Sequence, residues 1–141
     1  MDMRSPAALA LVAATLVAAA PVGGSSAAAA PRTSLTITYF EDAREPATRV
    51  AATLRCNPVG GTHPRRSLAC RGLARVGLRG LQPLPRGVAC TEIYGGPQAA
   101  VVQGVVDGQR VWVRLKRDNG CEISRWNRLA FLLPVVWTAS G

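Results

Sequence analysis

Apolar and polar positions alternate along residues 34–40 (SLTITYF), and the β-branched and aromatic side chains of this run predict a strand. Residues 47–56 (ATRVAATLRC) keep the same period of two through Thr48, Val50, Ala52, Leu54 and Cys56, which favours strand over short helix. Residues 41–46 lie between them, place four charges ahead of Pro46 and read as a turn. Gly, Pro and Asn punctuate residues 57–66 (NPVGGTHPRR) as a loop. Ser67 is a candidate cap for a helix through Leu68, Cys70, Leu73, Ala74 and Val76, with Gly77 or Gly80 as its stop. Residues 81–89 contain two prolines and no period, so they predict an extended connection. Residues 99–106 and 110–117 are strand-like runs separated by Asp107-Gly108, a dipeptide suited to a type I′ hairpin turn. Another turn is expected at residues 118–120 and a short helix or turn at 124–128. Residues 129–137 read as an apolar closing strand broken by Pro134. Four or five strands with one or two short helices give an α+β domain with an antiparallel sheet.

The N-terminal pattern is of another kind. Arg4 precedes a 14-residue apolar run at residues 7–20, all Ala, Leu and Val but Thr15, and small residues fill positions 23–30 before Pro31. This is the layout of a secretory signal peptide, with residues 1–29 removed after Ala29 because Pro is poorly tolerated just after the cut. The run is too short and too weakly apolar to anchor in a hydrocarbon core about 30 Å thick. Its removal leaves 112 of the 141 residues, a single exported domain at residues 30–141. A multi-domain enzyme, a membrane span and a cytoplasmic address are excluded on this reading.

Four cysteines on an exported chain predict two disulfides. Cys56, Cys70, Cys90 and Cys121 allow three connectivities, and local closure favours Cys56–Cys70 with Cys90–Cys121. With no CxxC pair and His63 as the single histidine, neither a metal nor any other cofactor is expected. His63 lies in the loop sequence GGTHP and reads as a hydrogen-bonded structural residue rather than a catalytic base. GxSxG, HExxH and Gly-rich phosphate motifs are absent, and nothing puts Glu92 and Glu122 in a shared apolar pocket. The chain therefore lacks the parts of an enzyme and reads as a binder.

Charge adds a competing possibility. The formal net charge is +9, which suits acidic partners such as nucleic acid or teichoic-acid-like polymers. The basic residues, all Arg but Lys116, are scattered without aromatic neighbours for base stacking, so nucleic acid is not expected. The alternative to set beside any other function is a cationic cell-envelope-binding protein, supported by this charge and the apolar tail at residues 132–141.

Several short motifs share one cysteine frame. They are Cys56-Asn57-Pro58, Gly61-Thr62-His63-Pro64, Ala69-Cys70, Leu73 and Val76, and then Cys90 with Tyr94 and Pro97. Gly104-Val105, Gly108, Val111 and Asn119-Gly120-Cys121-Glu122 complete the order. In this arrangement the chain resembles the Streptomyces subtilisin inhibitor family over residues 34–131. The resemblance implies a secreted inhibitor of serine proteases, subtilisin-like ones above all. It also implies a five-stranded antiparallel sheet with two short helices, the disulfides Cys56–Cys70 and Cys90–Cys121, and a homodimer formed through the sheet face. On the competing reading the same fold would be kept without inhibition.

Counting from Cys90, the resemblance puts the scissile bond of the reactive loop at Glu92-Ile93. Ala89, Cys90, Thr91 and Glu92 become P4 to P1, and Ile93 and Tyr94 become P1′ and P2′. The chain departs from the family pattern in having Thr91 where Pro is frequent. It departs again in having Gly95-Gly96-Pro97 where many members have Asp-Pro, one residue fewer. An acidic P1 is penalised in a deep apolar S1 pocket. The implied partner is therefore a subtilisin-like protease with a shallow, polar S1 pocket or a glutamyl-specific protease.

Overall fold

The computed structural model describes residues 13–24 and 31–135. Four strands form one antiparallel sheet: β1 (Thr33–Phe40), β2 (Arg49–Cys56), β3 (Ala99–Val106) and β4 (Gln109–Leu115), in the order β2-β1-β3-β4. The alternation read from the sequence decides which face is buried. Ala52, Ile37, Val102 and Val113 lie side by side across all four strands, and each is buried. Leu35, Tyr39, Leu54, Ala100 and Leu115 extend the same apolar face. The opposite face carries Thr36, Thr38, Gln103 and Arg114 together with Trp112, which is 63% exposed. Asp107 and Gly108 both have positive φ, 48° and 81°, as a type I′ turn between β3 and β4 requires.

Two helices, α1 (Arg66–Gly80) and α2 (Gly120–Leu129), supply the second layer. Ala69 and Leu73 of α1 and Trp126 and Leu129 of α2 join the core. The cap of α1 is Arg65 rather than Ser67, with no side-chain capping bond, and Gly77 breaks the helical path at φ 57° before one last turn.

The expected fifth strand does not form among the described residues. Leu129 closes α2, Ala130–Leu132 is a 3-10 turn, and residues 136–137 of the predicted strand lie outside the described range. Leu129, Leu132 and Leu133 are all buried, and their three-and-four spacing is that of a helical path rather than a period of two.

The outer edge of β2 is closed by the chain itself. Arg55 and Gly60 exchange both backbone hydrogen bonds, at 2.9 and 3.0 Å. His63 N–H donates to the Thr53 carbonyl at 2.9 Å, and Thr53 N–H donates to Thr62 Oγ1 at 2.9 Å. His63 is itself buried. Its Nδ1 accepts from Arg65 N–H at 3.0 Å, which leaves Nε2 to donate to the Leu132 carbonyl at 3.2 Å. Burial pushes the imidazole below its ordinary pKa. It is a structural histidine, as its loop setting predicted.

Candidate functional site

Residues 88–96 form neither helix, strand nor turn, and their position is fixed by the segment that leads from β4 into α2. The sequence leaving β4 makes this possible. Asn119 caps α2, its side chain accepting from Glu122 N–H at 2.9 Å, and so orients the first helical turn. In that turn Gly120 N–H donates to the Thr91 carbonyl at 2.9 Å, and the adjacent Cys121 is bonded to Cys90 with Cα atoms 5.4 Å apart. On the other side of the loop, Gly95 N–H donates to the Arg117 carbonyl at 2.7 Å.

The result is a three-residue span, Glu92, Ile93 and Tyr94, held at both ends. Ile93 is 59% and Tyr94 66% exposed, and Ala89, Thr91 and Glu92 are exposed as well. Large apolar side chains at such exposure leave most of their surface available to a partner. The backbone restraint comes from three points, and no side chain of the span makes a hydrogen bond or ion pair within the described residues.

Close contact explains two glycines. A Cβ on Gly120 would clash with Thr91 Oγ1, and one on Gly95 would stand 2.9 Å from the Ile123 side chain and 3.1 Å from the Arg117 carbonyl. At both places the added methyl would displace a neighbouring side chain, Thr91 at Gly120 and Ile123 at Gly95.

Deeper groups hold the supports. Arg117, whose carbonyl anchors Gly95, sets its guanidinium 5.9 Å from the centre of the buried Trp126 ring and donates to Gln98 Oε1 at 3.0 Å. Arg125 is 4% exposed and donates to three carbonyls: Leu81 at 3.0 Å, Gln82 at 3.2 Å and Arg114 at 2.8 Å. It ties the chain entering the loop region to β4 and α2 at once. Burial lowers the Arg125 pKa, and the Glu122 carboxylate 3.9 Å away opposes that shift. Beside the loop, hydrogen bonds from Arg44 hold the Asp42 carboxyl down at about 2.

Ala89, Cys90, Thr91, Glu92, Ile93 and Tyr94 are thus brought together in one exposed segment. The disulfides pair Cys56 with Cys70 and Cys90 with Cys121, the pairing that local closure favoured. Cys56–Cys70 takes no part in the loop and joins the end of β2 to α1. Sequence reasoning missed Gly95, Gly120, Arg117 and Arg125 as supports. One signal was present for α2: Asn119 with Glu122 three residues on is a capping-box pattern, which starts the helix at residue 120 rather than 124. Among the described residues no helix is long and apolar enough to cross a membrane.

Comparison with known proteins gives concordant matches. The family model described as "Subtilisin inhibitor-like" matches residues 29–119. Subtilisin inhibitor-like protein 1 of Streptomyces cacaoi is 42% identical over 93 residues, 62% of this chain and 82% of that protein. Subtilisin inhibitor-like protein 5 of Streptomyces fradiae is 38% identical over 95 residues, covering 63% of this chain and 84% of that protein. Among solved structures, Streptomyces caespitosus sermetstatin, crystallised in complex with Bacillus licheniformis subtilisin, is 28% identical with a TM-score of 0.45. That match covers 68% of this chain and 94% of sermetstatin.

Proposed function

The chain belongs to the subtilisin inhibitor-like family, and we propose that it is a secreted, substrate-like inhibitor of serine endopeptidases whose reactive bond is Glu92-Ile93. The observation that carries this reading is the bracket around that bond. Thr91 and Gly95 are each held by one backbone hydrogen bond, and Cys90 is held by its disulfide, while the residues between stand exposed. An extended segment of this kind pairs its backbone with a protease cleft and fills alternate pockets. Because it is already ordered, little conformational entropy is lost on binding. After a cut, the same restraints keep the new amine beside the acyl group, so religation competes with water.

Glu92 at P1 selects the partner. A carboxylate without a counter-charge is costly in a deep apolar S1 pocket, whereas a glutamyl-specific or shallow polar S1 site accommodates it. Export follows from the leader at residues 1–29, whose cleavage point lies outside the described residues. The sheet face bearing the exposed Trp112, with Val101 and Val105 partly covered, supports a symmetric dimer. Sedimentation at micromolar concentration is expected to give twice the monomer mass.

The decisive experiment is limited proteolysis and inhibition with Glu92, Glu92→Leu and Glu92→Arg proteins. A glutamyl-specific protease should cut the native protein once, after Glu92, leaving the halves joined through Cys90–Cys121. Glu92→Leu should shift preference toward apolar-pocket subtilisins and Glu92→Arg toward trypsin-like enzymes, each by about 1–3 kcal/mol. Equal, weak effects of all three proteins on every protease would remove Glu92 from P1.

A further inference from the structure

Charge in this chain is divided along its length. Residues 46–91 contain eight arginines and no Asp or Glu, which accounts for nearly all of the net +9. Folding assigns that stretch to β2 and α1, on the side of the sheet edge opposite to β4, and to the connection that runs from α1 to the exposed loop. Half of these arginines, Arg66, Arg71, Arg75 and Arg79, lie on one helix.

Arg66, Arg71 and Arg75 precede the break in α1 at Gly77, and Arg79 follows it. Arg71 and Arg75 are exposed one helical turn apart, and Arg66 and Arg79 are exposed toward the two ends. Arg66 and Arg71 line one surface concavity with Ser67 and Leu68; Arg79 shares another with Arg128 of α2. Neither concavity has a carboxylate or an aromatic ring in its wall. Among the described residues none of these five arginines has an ion-pair partner. Like charges a turn apart repel and weaken a helix. A helix that keeps them, with no acid anywhere along it, is matched to negative charge from outside.

We propose that the outer face of α1 binds a linear polyanion of phosphodiester units, the chemistry of an envelope teichoic polymer. Guanidinium groups pair with phosphate through two parallel hydrogen bonds, and arginines a turn apart can engage successive phosphates of an extended chain. Single-stranded nucleic acid shares the phosphates, but its binding sites add aromatic platforms for the bases, and neither concavity has one. The inference takes only export from the inhibitory reading and is otherwise independent of it. The reactive loop is held by Arg117, Gly120 and Cys121 and shares none of these restraints with α1.

Binding of the mature protein to purified poly(glycerol phosphate) teichoic acid is the test, with single-stranded DNA and uncharged dextran as parallel probes. Three engaged phosphates give a log–log salt slope of about −2, so affinity should fall about twenty-fold between 50 and 200 mM salt. The variant R71Q/R75Q/R79Q should lose about tenfold or more of that affinity while keeping its protease inhibition constant. R110Q/R114Q/K116Q removes the same charge from the β4 edge and should bind the polymer almost as the parent does. Equal losses in the two variants, no binding to teichoic acid, or DNA binding as tight as the polymer would each overturn the proposal. Since inhibition is measured on the same samples, loss of the loop's function registers separately.

Discussion

Cys56–Cys70 joins the last residue of β2 to the second turn of α1, where Ala69 and Leu73 on either side are buried and the edge of β2 is bonded to its own loop. Cys90–Cys121 joins an exposed segment to the first turn of α2, with two backbone hydrogen bonds as the other main restraints. The same covalent bond therefore does two different things. In the first place it reinforces contacts that the core already makes. In the second it fixes a backbone that no core contains. The lesson is that the value of a crosslink depends on what else holds its two ends.

The largest expected effect separates the two bonds directly. The double variant C90S/C121S should weaken protease inhibition about a hundredfold or more, because freeing several loop residues restores about 1–2 kcal/mol of backbone entropy each. Its far-UV circular dichroism should stay close to that of the parent. On the loop-entropy model C56S/C70S loses about 3 kcal/mol of stability and C90S/C121S about 4, both read as midpoint shifts in urea, but the folded fraction of C56S/C70S should inhibit normally. Identical behaviour of the two variants would end the distinction.

A second pair of changes asks the same question with one methyl group. Gly120→Ala puts a Cβ onto Thr91 Oγ1, and Gly72→Ala puts one 2.5 Å from the Phe131 ring. Each is expected to cost about 1–3 kcal/mol. For Gly120→Ala the cost should appear in the inhibition constant, and for Gly72→Ala in thermal stability.

The smallest effect is a pH dependence confined to the β2 side. Burial lowers the His63 pKa, so the unfolded chain takes up a proton at higher pH than the folded one. The histidine's contribution is complete above about 6.5, its ordinary value, and is lost as pH falls from there through the lowered folded pKa. Urea midpoints between pH 7.5 and 5 should decline in the parent, and the decline should be shallower in His63→Gln. Loop binding to a pH-insensitive protease should not follow it.

Most of the sheet was legible because its alternation is strict: Leu35, Ile37 and Tyr39 go in, and Ser34, Thr36 and Thr38 go out. The closing segment misled because Leu129, Leu132, Leu133 and Val135 fit either a buried strand or a helical turn, and a short apolar run does not choose between them. The exposed loop could be found from its place after Cys90, but its supports could not. Gly120 and Gly95 matter through contacts with residues 29 and 22 positions away, Thr91 and Arg117, and such proximity is a product of the whole fold. The arginine cluster was equally hidden, since Arg79 and Arg128 line one concavity only when α1 and α2 share a layer.

The closed edge of β2 also limits what the sheet can become. Thr53 and Arg55 have their outward backbone groups taken by residues 60–63, which leaves only Arg49 and Ala51 on that side. Two residues are too few to template an added strand. Among the described residues, strand-to-strand growth is thus open at β4 alone. Two copies pairing there would present β2 at both ends of the joined sheet, and the chain reaction that builds a fibre would stop at its first step.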